Sequence, residues 1–402
     1  NLGLASIRTR LARDAYLLAA MLEQRRECGR VDLLIGRHDS GGAPLAPSRL
    51  FLQGAGATLA HRVRTLFGQP APQSRQVARQ LAWRLDPTAA TGGLPVLPVS
   101  LSVTGFASYL ACPFRFYLDS VLRMRPLDTR SLEMDDRLFG SLCHDALQAW
   151  AEDPEIRDCD QPDAVGEFLA AICERIIAAR FGDNLAAPLM IQAEVARQRL
   201  QAVGRLLARE AAAGWRVVDQ EWKFGYDGGF RLAGMPVRGR IDLIQRHAAS
   251  GRVRVLDYKT QDKPNPPEEA HLRGARRAAP RAHEREYSLC RDGKSRWCSL
   301  QLPLYRLALA QLRPELCNGG IDVGYVHLAH AVEDTAVGIW ENIEELLDDA
   351  ARCAAGVVGD VRGGRFWPPG RVAAARDDFP DILFDGDECG VEAAAISQGD
   401  TA

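Results

Sequence analysis

The chain has 402 residues, of which 47% are apolar and 25% charged, with 50 Lys+Arg against 52 Asp+Glu. That composition excludes wholesale disorder, and the length calls for about two or three domains, each with its own core. The net charge of −2 excludes a global positive field, so any polyanion contact must come from local patches. No apolar run is long enough for a bilayer-spanning helix. The sequence starts at Asn1, and NLGLASIRTR lacks the layout of a signal peptide, which suggests a segment of a longer polypeptide. Ten cysteines are scattered without a C-x-x-C pair, so reduced thiols, a cytoplasmic location and no structural zinc are expected.

Helical spacing of apolar residues runs from about Leu11 to Arg26, and Val31–Gly36 has the content of a short buried strand. A second helix is expected over Ala57–Phe67. Residues 69–98 are rich in Pro, Gly, Ala and Thr and have the composition of a linker, which places a domain boundary near Val99. A helix entry at Ser102–Thr104 precedes an apolar-aromatic helix over Tyr109–Val121, and another helix covers about Asp136–Trp150. Ala-rich helical sequence continues to about Gly214. The period then changes, and Arg216–Tyr226, Phe230–Arg246 and Val253–Tyr258 have strand patterning between Gly turns. Residues 261–298 lack periodicity and are expected to form a long loop or insertion. A helix over Ser299–Leu312, a strand over Val323–Leu328 and a helix over Ile343–Val357 follow, with a poorly ordered tail from about residue 378. The second domain is therefore α/β, a mixed sheet flanked by helices, behind a mainly helical N-terminal segment.

The chemistry concentrates in VRVLDYKT, residues 253–260. Strand alternation projects Asp257 and Lys259 together, with Leu256 and Tyr258 on the other face. Such a D-x-K triplet serves equally as a plain ion pair. Gly239-Arg240-Ile241-Asp242 lies on the preceding strand, and a hairpin turn containing Ser250-Gly251 brings Asp242 opposite Asp257. Two carboxylates there either end a solvated hairpin or hold Mg²⁺ or Mn²⁺ between them, and Lys259 beside the ion orients a water. His144, in FGSLCH with the small Gly140 and Ser141, either packs as an ordinary helix residue or completes a His/Asp/Asp site.

Taken in order, Cys112-Pro113-Phe114-Arg115-Phe116-Tyr117, Gly140…His144, Gly239-Arg240-Ile241-Asp242, Asp257-Tyr258-Lys259-Thr260 and Gln301…Tyr305 resemble the RecB/AddB-type nuclease domain of the PD-(D/E)XK superfamily. The resemblance covers about Ser100 to Pro369. It implies a restriction-endonuclease-like core in residues 99–402 with an insertion at 261–298. Residues 1–98 would be the tail of an inactive helicase-like region plus linker. It also implies a Mg²⁺-dependent deoxyribonuclease, the nuclease part of a helicase–nuclease subunit in double-strand break repair, with DNA and an AddA-type subunit as partners. By the same resemblance His144, Asp242, Asp257 and the Tyr258 main-chain carbonyl are metal ligands, and Lys259 is the catalytic lysine. Gln301 and Tyr305 line the active site from one helix face, and Glu221 matches an acidic residue on an earlier strand.

Two features depart from the family. Cys112 lacks the three clustered C-terminal cysteines of iron–sulfur members, so no cluster is expected and Cys112 is a buried helix residue. The insertion carries Arg273, Arg276 and Arg277, which with Arg240 either contact phosphates or are balanced by neighbouring acids. Gly293-Lys294-Ser295 lacks the glycine of a phosphate-binding loop, so no ATP site is expected. The rival readings are a catalytically silent DNA-binding scaffold of the same fold and a stand-alone repair exonuclease.

Overall fold

The computed structural model describes residues 6–27, 29–31, 36, 43, 45–68, 96–125, 133–182, 184–275, 283–370 and 378–379. The chain divides into two units, residues 1–81 and 82–402. In the first, α1 (Ile7–Glu23) is opened by Ser6, whose Oγ accepts the Thr9 N–H at 3.1 Å. A 3-10 turn at Arg49–Leu52 leads to α2 (Gly56–Phe67), and neither helix buries a residue. Most of the strand expected at Val31–Gly36 and of the linker at 69–98, together with Cys28 and Cys389, lies outside the described residues.

The second unit begins with β1 (Leu101–Ser102) and α3 (Val103–Ala111), where the Ser102 Oγ accepts the Gly105 N–H at 3.0 Å. The continuous helix expected over Tyr109–Val121 is instead broken at Cys112, which precedes Pro113. Proline disfavours helical backbone in the residue before it, and Cys112 is extended at φ −162° between α3 and α4 (Pro113–Phe116), with a π-turn at Tyr117–Val121. Cys112 is thus buried at a helix junction rather than inside a helix, and its sulfur accepts the Gly370 N–H at 3.1 Å.

Three long helices follow: α5 (Asp136–Glu152), α6 (Pro162–Phe181) and α7 (Ala187–Ala212). Then come β2 (Trp215–Phe224), β3 (Arg231–Leu232), β4 (Met235–His247) and β5 (Val253–Lys259). The segment expected to be a long loop contains α8 (Pro267–His271) and a small hairpin of β6 (Leu272–Gly274) with β7 (Ser295–Trp297). It folds by docking rather than by its own periodicity. The buried Trp297 ring lies 6.2 Å from Trp340, and His271 is fully enclosed. The chain then forms α9 (Gln301–Leu312), β8 (Ile321–His327), β9 (Ala336–Ile339) and α10 (Leu347–Arg362).

Among the described residues, seven strands make one mixed sheet in the order β1-β4-β5-β8-β9, with β2 and β3 also paired to β4. The β1/β4 and β5/β8 pairs are parallel and the others antiparallel. Two cores sandwich it. Val253 and Val255 of β5 pack with Phe106 of α3, Leu304 of α9 and Val357 of α10, whereas Leu256 and Tyr258 pack with Leu142 and Trp150 of α5 and Leu200 of α7. A strand covered on both faces reads as a nearly unbroken apolar run, which is why the two acids and one lysine of this region stand out. Among the described residues no helix is long and apolar enough to cross a membrane.

Candidate active site at the divergence of two central strands

The antiparallel pairing of β4 and β5 ends at Leu243–Leu256, while β5 stays paired with β8 as far as Lys259–His327. Asp242 and Asp257 are the residues on the next rung, where the two strands part. A cavity of about 330 Å³ opens there, lined by Asp242, Asp257, Tyr258 and Lys259 together with His144 of α5 and Gln301 and Tyr305 of α9. The parting strands leave the Tyr258 N–H without a partner on β4, and the Asp242 Oδ2 accepts it at 2.9 Å. A carboxylate thus takes the place of a ladder carbonyl, since a buried N–H must be satisfied somewhere.

Strand alternation turns Asp257 and Lys259 to the α9 side, with the Lys259 Nζ 2.7 Å from the Asp257 Oδ2. Gln301 spans both: its Nε2 donates to the Asp257 Oδ1 at 2.7 Å and its Oε1 accepts from Lys259 at 3.1 Å. Its Nε2 also donates to the Tyr305 hydroxyl, one helical turn on, at 3.1 Å. The ammonium and carboxylate are therefore held in place by an amide whose orientation both partners dictate.

From the opposite face of the sheet, α5 brings the His144 ring edge-on to Tyr258 at 5.5 Å, with its Nδ1 3.5 Å from the Asp242 Oδ2. That spacing is electrostatic contact rather than a hydrogen bond. Glu221 of β2 has a positive φ of 50° within its strand, and its Oε2 pairs with the Arg240 Nε at 2.7 Å. Ligand atoms of His144, Glu221 and Asp242 all lie within 4.8 Å of one another.

The electrostatics of this cluster suit a cation. Burial, reinforced by the charge of Asp257, pushes the Asp242 carboxyl well above the usual range. Burial likewise raises Glu221 against the pull of Arg240. Burial lowers His144, with Asp257 opposing, which favours the neutral imidazole a metal requires. Beyond these ion pairs, the buried His144 Nδ1, Glu221 Oε2 and Asp257 Oδ2 have no hydrogen-bond partner among the described residues. Carboxylates and an imidazole gathered this closely fit a hard divalent ion. Burial and Asp257 raise the Tyr305 phenol well above its ordinary value, so it remains a proton donor.

His144, Asp242, Asp257, Tyr258, Lys259, Gln301 and Tyr305 therefore share one cavity. Among the described residues the convergent set of three contains Glu221 rather than Asp257, because Asp257 is turned toward Lys259 and Gln301. Among the expected phosphate contacts, Arg240 lines the cavity. Arg273 does not: it sits on β6, paired with Glu284 at 2.9 Å. Arg276 and Arg277 lie outside the described residues. Tyr226 and Arg238 also line the cavity, and sequence reasoning passed over both. For Arg238 the signal was present, because it lies two residues before Arg240 and so shares its strand face.

A family model, the PD-(D/E)XK nuclease superfamily, matches residues 100–376. An ATP-dependent helicase/deoxyribonuclease subunit from Moorella thermoacetica is 30% identical over 198 residues, which are 44% of this chain and 16% of that protein. The chain thus spans only a small part of that relative's length. A solved structure from Eubacterium rectale, by name a candidate exonuclease, matches 71% of this chain and 93% of its own with 12% identity and a TM-score of 0.38. The family match takes in β1, the seven-stranded sheet, α10 and every residue of the cavity, so the chain belongs to the PD-(D/E)XK nuclease superfamily.

Proposed function

We propose that this chain is a divalent-metal-dependent deoxyribonuclease that hydrolyses phosphodiester bonds, exonucleolytically, as the nuclease part of a cytoplasmic helicase–nuclease subunit acting in double-strand break repair. Residues 99–402 carry that activity in this reading, residues 1–98 belong to the helicase-like region, and an AddA-type subunit supplies the motor. The observation that carries the proposal is the meeting of His144, Asp242, Asp257 and Lys259 where β4 and β5 part.

The cation, Mg²⁺ or Mn²⁺, would be held by His144 and Asp242, with Asp257, the Tyr258 main-chain carbonyl and Glu221 as the remaining oxygen donors. When bound it supplies a Lewis acid to the scissile phosphate and lowers the pKa of a water. Burial raises the Asp242 and Glu221 carboxyls, so a cation held there would bind in competition with protons. Lys259, fixed between Asp257 and Gln301, points its ammonium into the cavity, where it orients the attacking water and offsets charge developing on the phosphate. Gln301 keeps that pair in register, and Tyr305 holds Gln301.

With Mg²⁺ and linear DNA, Asp257→Ala and Lys259→Ala should each lower the cleavage rate by roughly 10²-fold or more, with the fold intact by circular dichroism. Wild-type rates from both variants would end the proposal. Retained DNA binding without metal-dependent cleavage by the unaltered chain would put a silent scaffold in its place.

A further inference from the structure

Tyr226 is 63% exposed, in the turn between β2 and β3, yet it lines the same cavity as Asp242 and Lys259. Arg238, exposed on β4, carries its guanidinium 5.9 Å from the centroid of the Tyr226 ring and lines that cavity too. No carboxylate among the described residues pairs with Arg238, whereas Arg240 beside it is tied to Glu221. Both side chains stand on fixed backbone. Arg238 lies opposite Ser102 in the β1/β4 pair, and Phe224 opposite Gly239 anchors the strand that ends two residues before Tyr226.

We propose that Tyr226 and Arg238 form a platform for one unpaired nucleotide base beside the cleavage site, which makes the substrate a single-stranded or frayed DNA end. This rests on the nuclease reading and narrows it. Inside a duplex each base is covered above and below by its neighbours, so only an unpaired base offers a face to an aromatic ring. A ring left largely in solvent, with a cation against it, suits such stacking. The unpaired guanidinium is free to take the adjoining phosphate. Stacking of this kind is indifferent to sequence, because every base has a flat face.

Fluorescence anisotropy of the full chain in EDTA, where nothing is cut, tests this with a labelled twenty-nucleotide oligo-dT and a blunt duplex of the same length. Tyr226→Ala should weaken oligo-dT binding about tenfold, Tyr226→Phe should stay within about twofold, and duplex affinity should be unchanged. Arg238→Gln should lower the salt slope of oligo-dT binding by about 0.7. The proposal is overturned by absent oligo-dT binding in the unaltered chain, by unweakened binding in Tyr226→Ala, by equal losses in Ala and Phe, by equal losses on strand and duplex, or by an unchanged salt slope. Cleavage by the unaltered chain with Mg²⁺ is scored separately. A stacking effect without cleavage removes the nuclease reading alone, and cleavage without a stacking effect removes the platform alone.

Discussion

His271 is completely buried on α8, inside the segment that joins β5 to α9, and its ring is committed on both sides. The Nδ1–H donates to the Pro267 carbonyl at 2.7 Å, and the Nε2 accepts the Leu302 N–H at 3.2 Å. Only the neutral tautomer with its proton on Nδ1 makes both bonds, so protonation breaks the one that ties the segment to the start of α9. Burial, with help from the Lys259 charge, lowers the His271 pKa from 6.5 to about 4. A base depressed in the folded state contributes stability that is fully present above its unfolded pKa and is lost as the pH falls through the folded value. The window therefore runs from about 6.5 down to about 4, and at about 1.4 kcal/mol per unit the loss amounts to about 3 kcal/mol. Urea unfolding of the unaltered chain and of His271→Gln, at pH 7.5 and again at pH 4, isolates this group from the other titrating residues. The stability advantage of His271 over Gln should shrink by about that amount at the lower pH. An advantage that does not change with pH would refute the assigned tautomer and its role in holding α9.

Further outcomes follow from the geometry around the cavity. Asp242→Asn keeps an oxygen for the Tyr258 N–H, whereas Asp242→Ala orphans it, so in metal-free thermal or urea unfolding Asn should exceed Ala by about 1–3 kcal/mol. Added Mn²⁺ should raise the melting temperature of the unaltered chain and of neither variant. A Cβ at Gly239 would lie 2.4 Å from the Phe224 ring and 2.9 Å from Val103, so Gly239→Ala should cost roughly 1–3 kcal/mol by urea midpoint. At Gly140 the nearest atom is Thr260 Oγ1 at 3.5 Å, an ordinary contact, and Gly140→Ala on α5 should be neutral or stabilising by up to about 1 kcal/mol in the same assay. Gln301→Glu places a carboxylate against the Asp257 Oδ1 in place of an N–H donor, and cleavage of linear DNA should fall at least about tenfold, with the rate rather than KM carrying the loss.

The central hairpin was legible because its signals are local. Alternation in VRVLDYKT separates Asp257 and Lys259 from Leu256 and Tyr258, and the Ser250-Gly251 turn sets a register that puts Asp242 and Asp257 on one rung. The helix pair Gln301 and Tyr305 was legible for the same reason, being one turn apart. Three features were not. Glu221 was pointed to by the family resemblance alone: it reaches His144 and Asp242 from a strand residue at φ 50°, and no pattern in DQEWKF announces that distortion. The segment after Thr260 folds through contacts made at long range, His271 with Leu302 and Trp297 with Trp340, so its own sequence shows little periodicity. Cys112 reads as helical because the apolar pattern continues across it, although the following proline carries the contrary signal.

The place where the strands part explains both why the site is there and what it costs the fold. Had β4 and β5 remained paired past Leu243 and Leu256, the Tyr258 N–H would meet a backbone carbonyl, and no cavity would separate the two aspartates. Parting them exposes buried main chain that only a polar side chain can satisfy, and Asp242 does so while adding a charge next to Asp257. The Asp242 carboxyl, pushed up by burial and by that neighbour, contributes stability at low pH that is lost as the pH rises through its folded pKa. Raising the pH therefore works against folding at this cluster, and the two cores on either side of the sheet must offset it. A cation held by His144, Asp242 and their neighbours would reverse that sign, because it would bind the folded arrangement and not the dispersed chain. Stabilisation by Mn²⁺ that vanishes in Asp242→Asn is thus the thermodynamic test of the proposed metal site, and it is measurable without any DNA present.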